Sequence, residues 1–325
     1  MLVTDFSPPE SLETRIPANF QSYRYRQWLL AARGQGFLVN KVMTRDDLGW
    51  NRLSRSESGE QWQQKPGRHQ MNPGSTQKTE WFQSAFEADY LEVYPWRDLA
   101  SAEDEAVAAL SWLGIGPGDR ILDLCCGAGR HSHWLKRSEA QLVSVDLSDS
   151  LLASARSHLG CSASLVRADI RALPFVENCF DHVMMFFTSF GYLATDAENG
   201  AVLEQVAGVV RPGGGLLLDL PDRDSTIEEL IATSRRTEGE LSIEEFRSLS
   251  ATGDRVEKKV VLNRSGQERK YTESVRLYSR DEIESMLNSA GWDLTDERGD
   301  WQGTRYQSGS TPRMILLAKR REVLR

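Results

Sequence analysis

The sequence predicts a doubly wound, Rossmann-like α/β fold: a mostly parallel seven-stranded sheet with a small antiparallel lid insertion. Three observations predict it. Short apolar runs alternate with amphipathic stretches from about residue 100 to residue 220, and turns rich in Gly and Pro separate them. Beyond residue 220 the pattern changes to period-two alternation. Strands alternating with helices at this pitch imply parallel βαβ units with right-handed crossovers.

The elements follow in chain order. SAEDEAVAALSWLGI has helical spacing, with Ala106, Leu110 and Leu113 on one face and acids in its first turn. GPGD breaks it, and RILDLCC is the nearly continuous apolar run of a strand buried on both faces. GAGRHSHWLKRSE reads as turn plus helix, and QLVSVDL as a second strand. SDSLLASARSHLG opens on an N-capping serine or aspartate and closes on glycine. SLVRADI and HVMMFFTSF are the third and fourth strands, AENGAVLEQVAGVV is a helix ended by RPGG, and GLLLDL is the fifth strand. STIEELIATSRR reads as a helix that begins an insertion over 221–279. IEEFRSLS, RVEKKVVLN and KYTESVRLYS continue it as an antiparallel meander. DEIESMLNSAGW is a helix closing on Gly291, and WDLTDERGDW and RMILLAKR are the last two strands. An insertion placed after a central strand hangs over the carboxyl edge of an open sheet, where ligands bind. The expectation is therefore a lid or substrate wall.

The chain has 325 residues, 40% of them hydrophobic, enough for a substantial core, and it carries 39 Lys/Arg against 47 Asp/Glu, a net −8. An acidic body argues against nucleic acid as a partner. No apolar run approaches the roughly 20 residues that span a bilayer, and MLVTDFSPPE lacks the basic start and apolar stretch of a signal peptide. Cys125, Cys126, Cys161 and Cys179 form no C-x-x-C pair, so they read as free thiols in the cytoplasm. Residues 51–80 hold only Leu53, Trp62 and Met71 as large apolar side chains, too few to offset the entropy of ordering. Residues 1–80 therefore read as a largely disordered extension before one domain over 81–325. That extension is basic, with eleven Lys/Arg against eight Asp/Glu, and reads either as a tether for RNA or a partner protein or as an extension without function.

The segment with most chemical content is ILDLCCGAGRHSHWL. Gly127 and Gly129 lie between a strand and a helix, where missing side chains let a turn and a ligand approach closely. Asp123 lies on the same strand. Asp146 ends the next strand, 23 residues on, where a carboxylate can accept both hydroxyls of a ribose. Asp169 ends the third, placed to accept from an adenine amino group while Ile170 packs on the ring. A dinucleotide suits this pattern poorly: the third glycine of its fingerprint is Ser132, and Asp123 would repel a pyrophosphate. A cationic nucleoside with an amino-acid tail suits it better, and S-adenosylmethionine has that charge pattern.

At these residues the chain resembles the class I S-adenosylmethionine-dependent methyltransferases, in their small-molecule branch. DLCCGAG is similar to their first motif, VDLS to the second, RADIRALPF to the segment beside the adenine, and RPGGGLLLDL to the fifth-strand segment. The resemblance covers roughly 81–325, and Cys125 stands where the family usually has Gly or Ala. It implies S-adenosyl-L-methionine as cofactor, with Gly127 and Gly129 along its methionine portion. Asp146 and Leu147 would sit at the ribose, and Asp169 and Ile170 at the adenine. Asp123 and Phe187 join this implied cofactor set. In WFQSAFEADYLEVYPWRD the resemblance implies that Tyr94 and Arg97 close on the cofactor, Arg97 pairing with its carboxylate. The alternative is that Tyr90, Tyr94 and Trp96 simply pack together.

MMFFTSFGYL ends the fourth strand at the lip where a methyl acceptor sits, and it resembles small-molecule N-methyltransferases. Ser189 and Tyr192 are candidates to orient the acceptor or act catalytically, unless the aromatic run is only core. Arg276, Tyr278, Trp301 and Arg305 are candidates for an anionic substrate. Arg313 reads as a cap on the last strand. His131, in the first turn after the glycine loop, is a weaker catalytic candidate, and His182 is expected to precede its strand. No His/Cys/Asp cluster has metal-ligand spacing, and neither a G-x-S-x-G elbow nor a P-loop is present. The expected function is in-line transfer of a methyl group to N or O of a small molecule. An RNA or protein methyltransferase and a non-catalytic S-adenosylmethionine-binding protein remain the alternatives.

Overall fold

The computed structural model describes residues 80–87 and 89–322. Every described residue belongs to a single compact unit. The expected extension over 1–80 lies outside the described residues except for Glu80.

Two short helices, α1 (Trp81–Ala85) and α2 (Tyr90–Val93), precede α3 (Glu103–Leu113). The alternating region then runs β1 (Arg120–Leu124), α4 (Arg130–Leu135), β2 (Gln141–Asp146), α5 (Asp149–Leu159), β3 (Ser164–Arg167), β4 (Phe180–Met185), α6 (Asp196–Val209) and β5 (Val210–Pro221). After α7 (Arg223–Glu228) come β6 (Thr233–Glu238), β7 (Leu241–Leu249), β8 (Arg255–Arg264) and β9 (Gln267–Arg276). The chain closes with α8 (Arg280–Ser289), β10 (Trp292–Arg298) and β11 (Arg313–Arg320).

The main sheet has seven strands in the order β10-β11-β5-β4-β1-β2-β3. Strands β1 to β5 pair in parallel, and β11 enters antiparallel beside β5. Parallel strands buried on both faces require apolar residues on both, and β1 supplies them. Ile121 packs with Met184, Leu217 and Leu317 under α3 and α4, while Leu122 and Leu124 join the larger core on the other face. That larger core is anchored by Trp292, whose ring is fully buried and whose Nε1–H donates to the Leu203 carbonyl. Ser148 caps α5 as the sequence signals; in addition, Thr195 and Glu198 form a capping box on α6, and α3 stops at Gly114 in the left-handed region, before GPGD.

The second sheet, β6-β7-β8-β9, is an antiparallel meander inside residues 221–279, where the period-two alternation predicts one. One face carries Leu241, Ile243, Val260, Leu262 and Tyr271, and it packs on Ala85, Val93 and Tyr94 from α1, α2 and the residue that follows. Burial of such side chains stabilises by roughly 1.5–3 kcal/mol each, which gives the short α1 and α2 a reason to be ordered.

Three expectations need correction. STIEELIATSRR is not one helix: α7 ends at Glu228, and Thr233–Glu238 forms β6. No residue of α7 is buried and Ile231 is 66% exposed, so a longer helix would gain no core, whereas β6 gains a full ladder with β7. The RPGG segment lies inside β5, because a Cβ at Gly214 would stand 2.5 Å from the Asp181 carbonyl oxygen. His182 is a member of β4, paired with Ile121 and Gly215, in the half of the strand away from its carboxyl end.

Candidate active site

A cavity of about 660 Å³ lies beyond the carboxyl ends of β1, β2, β3 and β4, the position at which open α/β sheets bind ligands. Its floor is the turn between β1 and α4. Cys125 takes φ of 63° there, a left-handed conformation that costs a non-glycine residue roughly 1–2 kcal/mol.

Gly127, at φ 55°, donates its N–H to Asp146 Oδ2 at 2.7 Å, and Ser148 donates to Oδ1 at 2.9 Å. Burial pushes the Asp146 carboxyl upward, while these two N–H groups hold it down. Each oxygen keeps one further acceptor site for a hydroxyl in the cavity. Gly129 plays a different part. A Cβ there would meet Leu159 Cδ1 at 2.9 Å and Ala155 Cβ at 3.0 Å, so this glycine brings α5 against α4 and does not line the cavity.

Asp169, Ile170 and Leu147 all line the cavity. Burial works to raise Asp169, but hydrogen bonds from Arg171 outweigh it and hold the carboxylate below its usual range. The Arg171 guanidinium lies between Asp169 (2.6 and 2.9 Å) and Glu80 (2.7 and 2.8 Å). Nothing in the sequence pattern singled out Arg171, because an arginine two residues after an acid is common on any surface.

The roof comes from the segment before α3. Phe82, Phe86, Tyr90 and Arg97 line the cavity from above. Ser148 ties roof to floor by donating to the Phe86 carbonyl at 2.6 Å, and Trp81 Nε1–H donates to the Tyr192 carbonyl at 3.2 Å. No residue of 221–279 lines the cavity; the antiparallel sheet reaches it only through the helices it backs. Arg97 stacks on Phe187 at 4.2 Å and on Tyr94 at 4.1 Å and donates from Nη1 to the Tyr90 hydroxyl, while its buried Nε has no hydrogen-bond partner.

The fourth wall is the end of β4. Phe187 and Thr188 are consecutive residues at φ 53° and 60°. The buried Asp219 of β5 holds this strained pair, with Oδ2 accepting the Phe187 N–H at 2.7 Å and its carbonyl accepting the Thr188 N–H at 2.9 Å. Arg313 of β11 donates from Nε to Asp219 Oδ1 at 2.8 Å and from Nη2 to Thr188 Oγ1 at 3.2 Å. Arg313 is thus not a strand cap but the partner of a buried carboxylate that shapes the cavity lip. Ser189 lines the cavity, with its hydroxyl donating to the Phe186 carbonyl at 2.6 Å.

The glycine turn, the acids closing β2 and β3, and this strand order are together the arrangement that the sequence motifs imply. Residues 121–214 match the family model described as "Methyltransferase domain". Over this segment the chain is similar to methyltransferases, in line with the motifs it carries. A demethylmenaquinone methyltransferase of Mycobacterium sp. (strain KMS) is 40% identical over 106 residues, 33% of this chain and 43% of that protein. Its counterpart in Mycobacterium marinum is 38% identical over 111 residues, 34% of this chain and 45% of that one. The chain spans less than half the length of these curated relatives. Among solved structures, an S-adenosylmethionine-dependent methyltransferase from Clostridium acetobutylicum matches 72% of this chain and 98% of its own, with a TM-score of 0.62 and 17% identity. A sugar N-methyltransferase from a Streptoalloteichus species matches 83% and 99%, with a TM-score of 0.54 and 18% identity. Both share the fold.

Within the methyltransferase domain and its flanks, several expected site residues stand elsewhere. Asp123 is one residue short of the strand end and faces α4, where Ser132 Oγ donates to it at 2.5 Å; burial pushes its carboxyl up to about 7. Alternation along β1 puts it on the Ile121 side, away from the cavity. Tyr94 points to the second sheet and donates to Glu273 at 3.0 Å. Arg276 is buried among Glu282, Asp196 and Asp254, at 2.8, 3.3 and 3.4 Å, and Tyr278 donates to Asp196 at 2.9 Å. These two residues join the end of β9 to α6 and α8. Trp301 stacks flat on Trp112 at 5.5 Å and stands behind Phe186, and Arg305 is an exposed residue bridged to Arg298.

Tyr192 does line the cavity of the methyltransferase domain, with its ring stacked on Phe86 at 5.7 Å and burial pushing its hydroxyl well above the ordinary value. His131 lines it as well, 4% exposed, with its ring 4.0 Å from Phe186. Among the described residues no group of three or more His, Cys, Asp or Glu is placed to hold a metal ion, and no helix is long and apolar enough to cross a membrane.

Proposed function

We propose that this chain transfers the methyl group of S-adenosyl-L-methionine to a nitrogen or oxygen of a small-molecule acceptor. The observation that carries the reading is a polarised cavity: Asp146 and Asp169 line it beside β2 and β3, and Arg97, whose buried Nε has no hydrogen-bond partner, lines it beside Phe187 after β4. A ligand with hydroxyls and an amino group at one end and a carboxylate at the other satisfies both.

The residues present fit that cofactor. Asp146 has acceptor capacity left after its two N–H bonds, Asp169 is fixed by Arg171, and Arg97 Nε is a buried donor in need of an acceptor. Asp146 and Leu147 would hold the ribose, Asp169 and Ile170 the adenine, the Gly127 turn the methionine chain, and Arg97 its carboxylate. When bound, S-adenosylmethionine supplies a methyl group already activated on a sulfonium. The protein then has to orient the acceptor and exclude water. Phe186, Phe187, Phe86 and Tyr192 form a largely apolar wall suited to both tasks, and alignment of this kind contributes roughly 7–11 kcal/mol to a bimolecular step. The roof formed by α1 and α2 supports a compact acceptor rather than a polymer, and the net −8 charge weighs in the same direction. Free thiols at all four cysteines support a cytoplasmic setting.

Incubation with methyl-labelled S-adenosylmethionine and a fractionated cell extract tests the reading. A labelled low-mass product is expected. Label on RNA or protein alone would overturn the acceptor class, and calorimetric binding of the cofactor without any labelled product would overturn catalysis.

A further inference from the structure

One residue lining the cavity, His131, belongs to a side-chain pair that the reading above does not use. His131 lies in the first turn of α4, and Glu105 faces it from α3. His131 Nε2 and Glu105 Oε2 are 2.5 Å apart. The imidazole lies nearly parallel to the Phe186 ring, 11° between planes, which fixes its tilt. Arg130 places Nη2 3.1 Å from the same carboxylate oxygen. The other ring nitrogen, Nδ1, has no hydrogen-bond partner among the described residues. His131 itself lines the cavity.

From this geometry we propose that His131 is the general base of the methyl transfer, with Glu105 as the residue that positions it. The inference rests on the function proposed above. Glu105 accepts the Nε2–H, which leaves the lone pair on Nδ1 facing the acceptor. As the acceptor's N or O electron pair forms its bond to the incoming methyl carbon, its own N–H or O–H bond breaks. The proton passes to Nδ1, which forms the new N–H bond with its lone pair. The electron pair of the donor's C–S bond stays on sulfur, so a sulfonium charge disappears as an imidazolium charge arises beside Glu105. Product release returns the proton to solvent.

The charged groups facing this pair are few. Burial pushes His131 down to about 4, with Arg130 acting in the same direction and Glu105 opposing both. Burial works to raise Glu105, but His131, Arg130 and Arg313 together hold it below its ordinary value. At neutral pH the imidazole is therefore uncharged and the carboxylate ionised, the protonation states that a base and its orienting partner need.

The test combines a tautomer measurement with transfer kinetics on the full-length chain. Nitrogen-15 NMR at pH 7, with the His131 signals assigned by their loss in His131→Gln, is expected to show the proton on Nε2 and a lone pair on Nδ1. Glu105→Gln, which offers an amide, is expected to mix or reverse the two. Calorimetry with S-adenosylhomocysteine should give an affinity for His131→Gln within about threefold of the parent, while label transfer into the responsive extract fraction falls about 100-fold. His131→Ala should recover part of that rate with added imidazole, a rescue that a packing role would not give. A proton found on Nδ1 in the parent protein, or a His131→Gln variant that transfers label at the parental rate, overturns the proposal. A parent protein that binds S-adenosylhomocysteine and labels nothing overturns the function proposed above, and the tautomer still decides the pair.

Discussion

Arg313 on the last strand holds the fully buried carboxylate of Asp219 with Nη2 2.6 Å from Oδ1, and through it fixes the backbone of Phe187 at the cavity lip. Two residues almost a hundred positions apart thereby set the position of a third. Arg313→Met would leave Asp219 charged, buried and without its cation, and removal of one partner of such a pair costs roughly 3–5 kcal/mol. The expected outcome is a lower midpoint of chemical unfolding. Asp219→Asn, which can still accept the Phe187 N–H, is expected to lose less. Equal losses in both variants would show that the charge pairing contributes little.

Asp146 has a double task, and two substitutions separate its parts. Asp146→Ala removes the acceptor for the N–H groups of Gly127 and Ser148 and should destabilise by about 1–3 kcal/mol. It should also abolish measurable S-adenosylhomocysteine binding. Asp146→Asn can keep only one of those N–H bonds with its carbonyl oxygen, so a smaller stability loss is expected with affinity still reduced by about tenfold or more. Calorimetry and thermal unfolding on the same samples check both. Unchanged affinity in the alanine variant would remove Asp146 from the ribose end.

Gly129→Ala is expected to disturb the helix packing rather than the cavity. The residue sits at φ 76°, and the new methyl would lie about as close to Ala155 and Leu159 as non-bonded atoms ever come. Backbone strain and overpacking together should cost about 2 kcal/mol or more. Ligand affinity, measured well below the melting temperature, should stay near the parental value.

His131 and Asp123 pull the acid dependence of stability in opposite directions. His131 is pushed down to about 4 from an ordinary value near 6.5, so the unfolded chain binds more protons between those limits and stability falls as pH drops through them. Asp123 is pushed up to about 7 from an ordinary value near 3.9, so stability rises as pH drops from 7 towards 4. Each effect amounts to about 2 kcal/mol between pH 7 and pH 5. Relative to the parent, His131→Gln should therefore gain stability on acidification and Asp123→Asn should lose it. Denaturant unfolding at the two pH values checks the signs.

The alternating region was legible because each of its elements carries its own local signal. An apolar run such as ILDL has no use except between two layers, and the acids that follow it close strands whose order the right-handed crossovers impose. Asp146 and Asp169 were legible for that reason. Asp123 was misplaced by a single residue of strand phase, which decides between cavity and α4. Arg276 and Tyr278 read as substrate ligands because exposed arginines and buried, carboxylate-paired ones look alike in a sequence. The partnership of Arg171 with Glu80 and that of Glu105 with His131 span 91 and 26 positions and left no local trace. Tertiary pairing also overrode local propensity in the segment now divided between α7 and β6.

The roof is sewn to the antiparallel sheet by charged side chains. Arg269 holds Asp89 and the Ser84 carbonyl, Arg264 holds Glu92, Arg236 holds the Val93 carbonyl, and Lys258 holds the Tyr94 hydroxyl. Toward the floor, Ser148 holds the Phe86 carbonyl, Trp81 holds the Tyr192 carbonyl, and Arg171 pairs with Glu80 just before α1. Roof and sheet are thus one bonded unit, although the strands that hold α1 and α2 lie some 170 positions downstream. Brine should then loosen that seam.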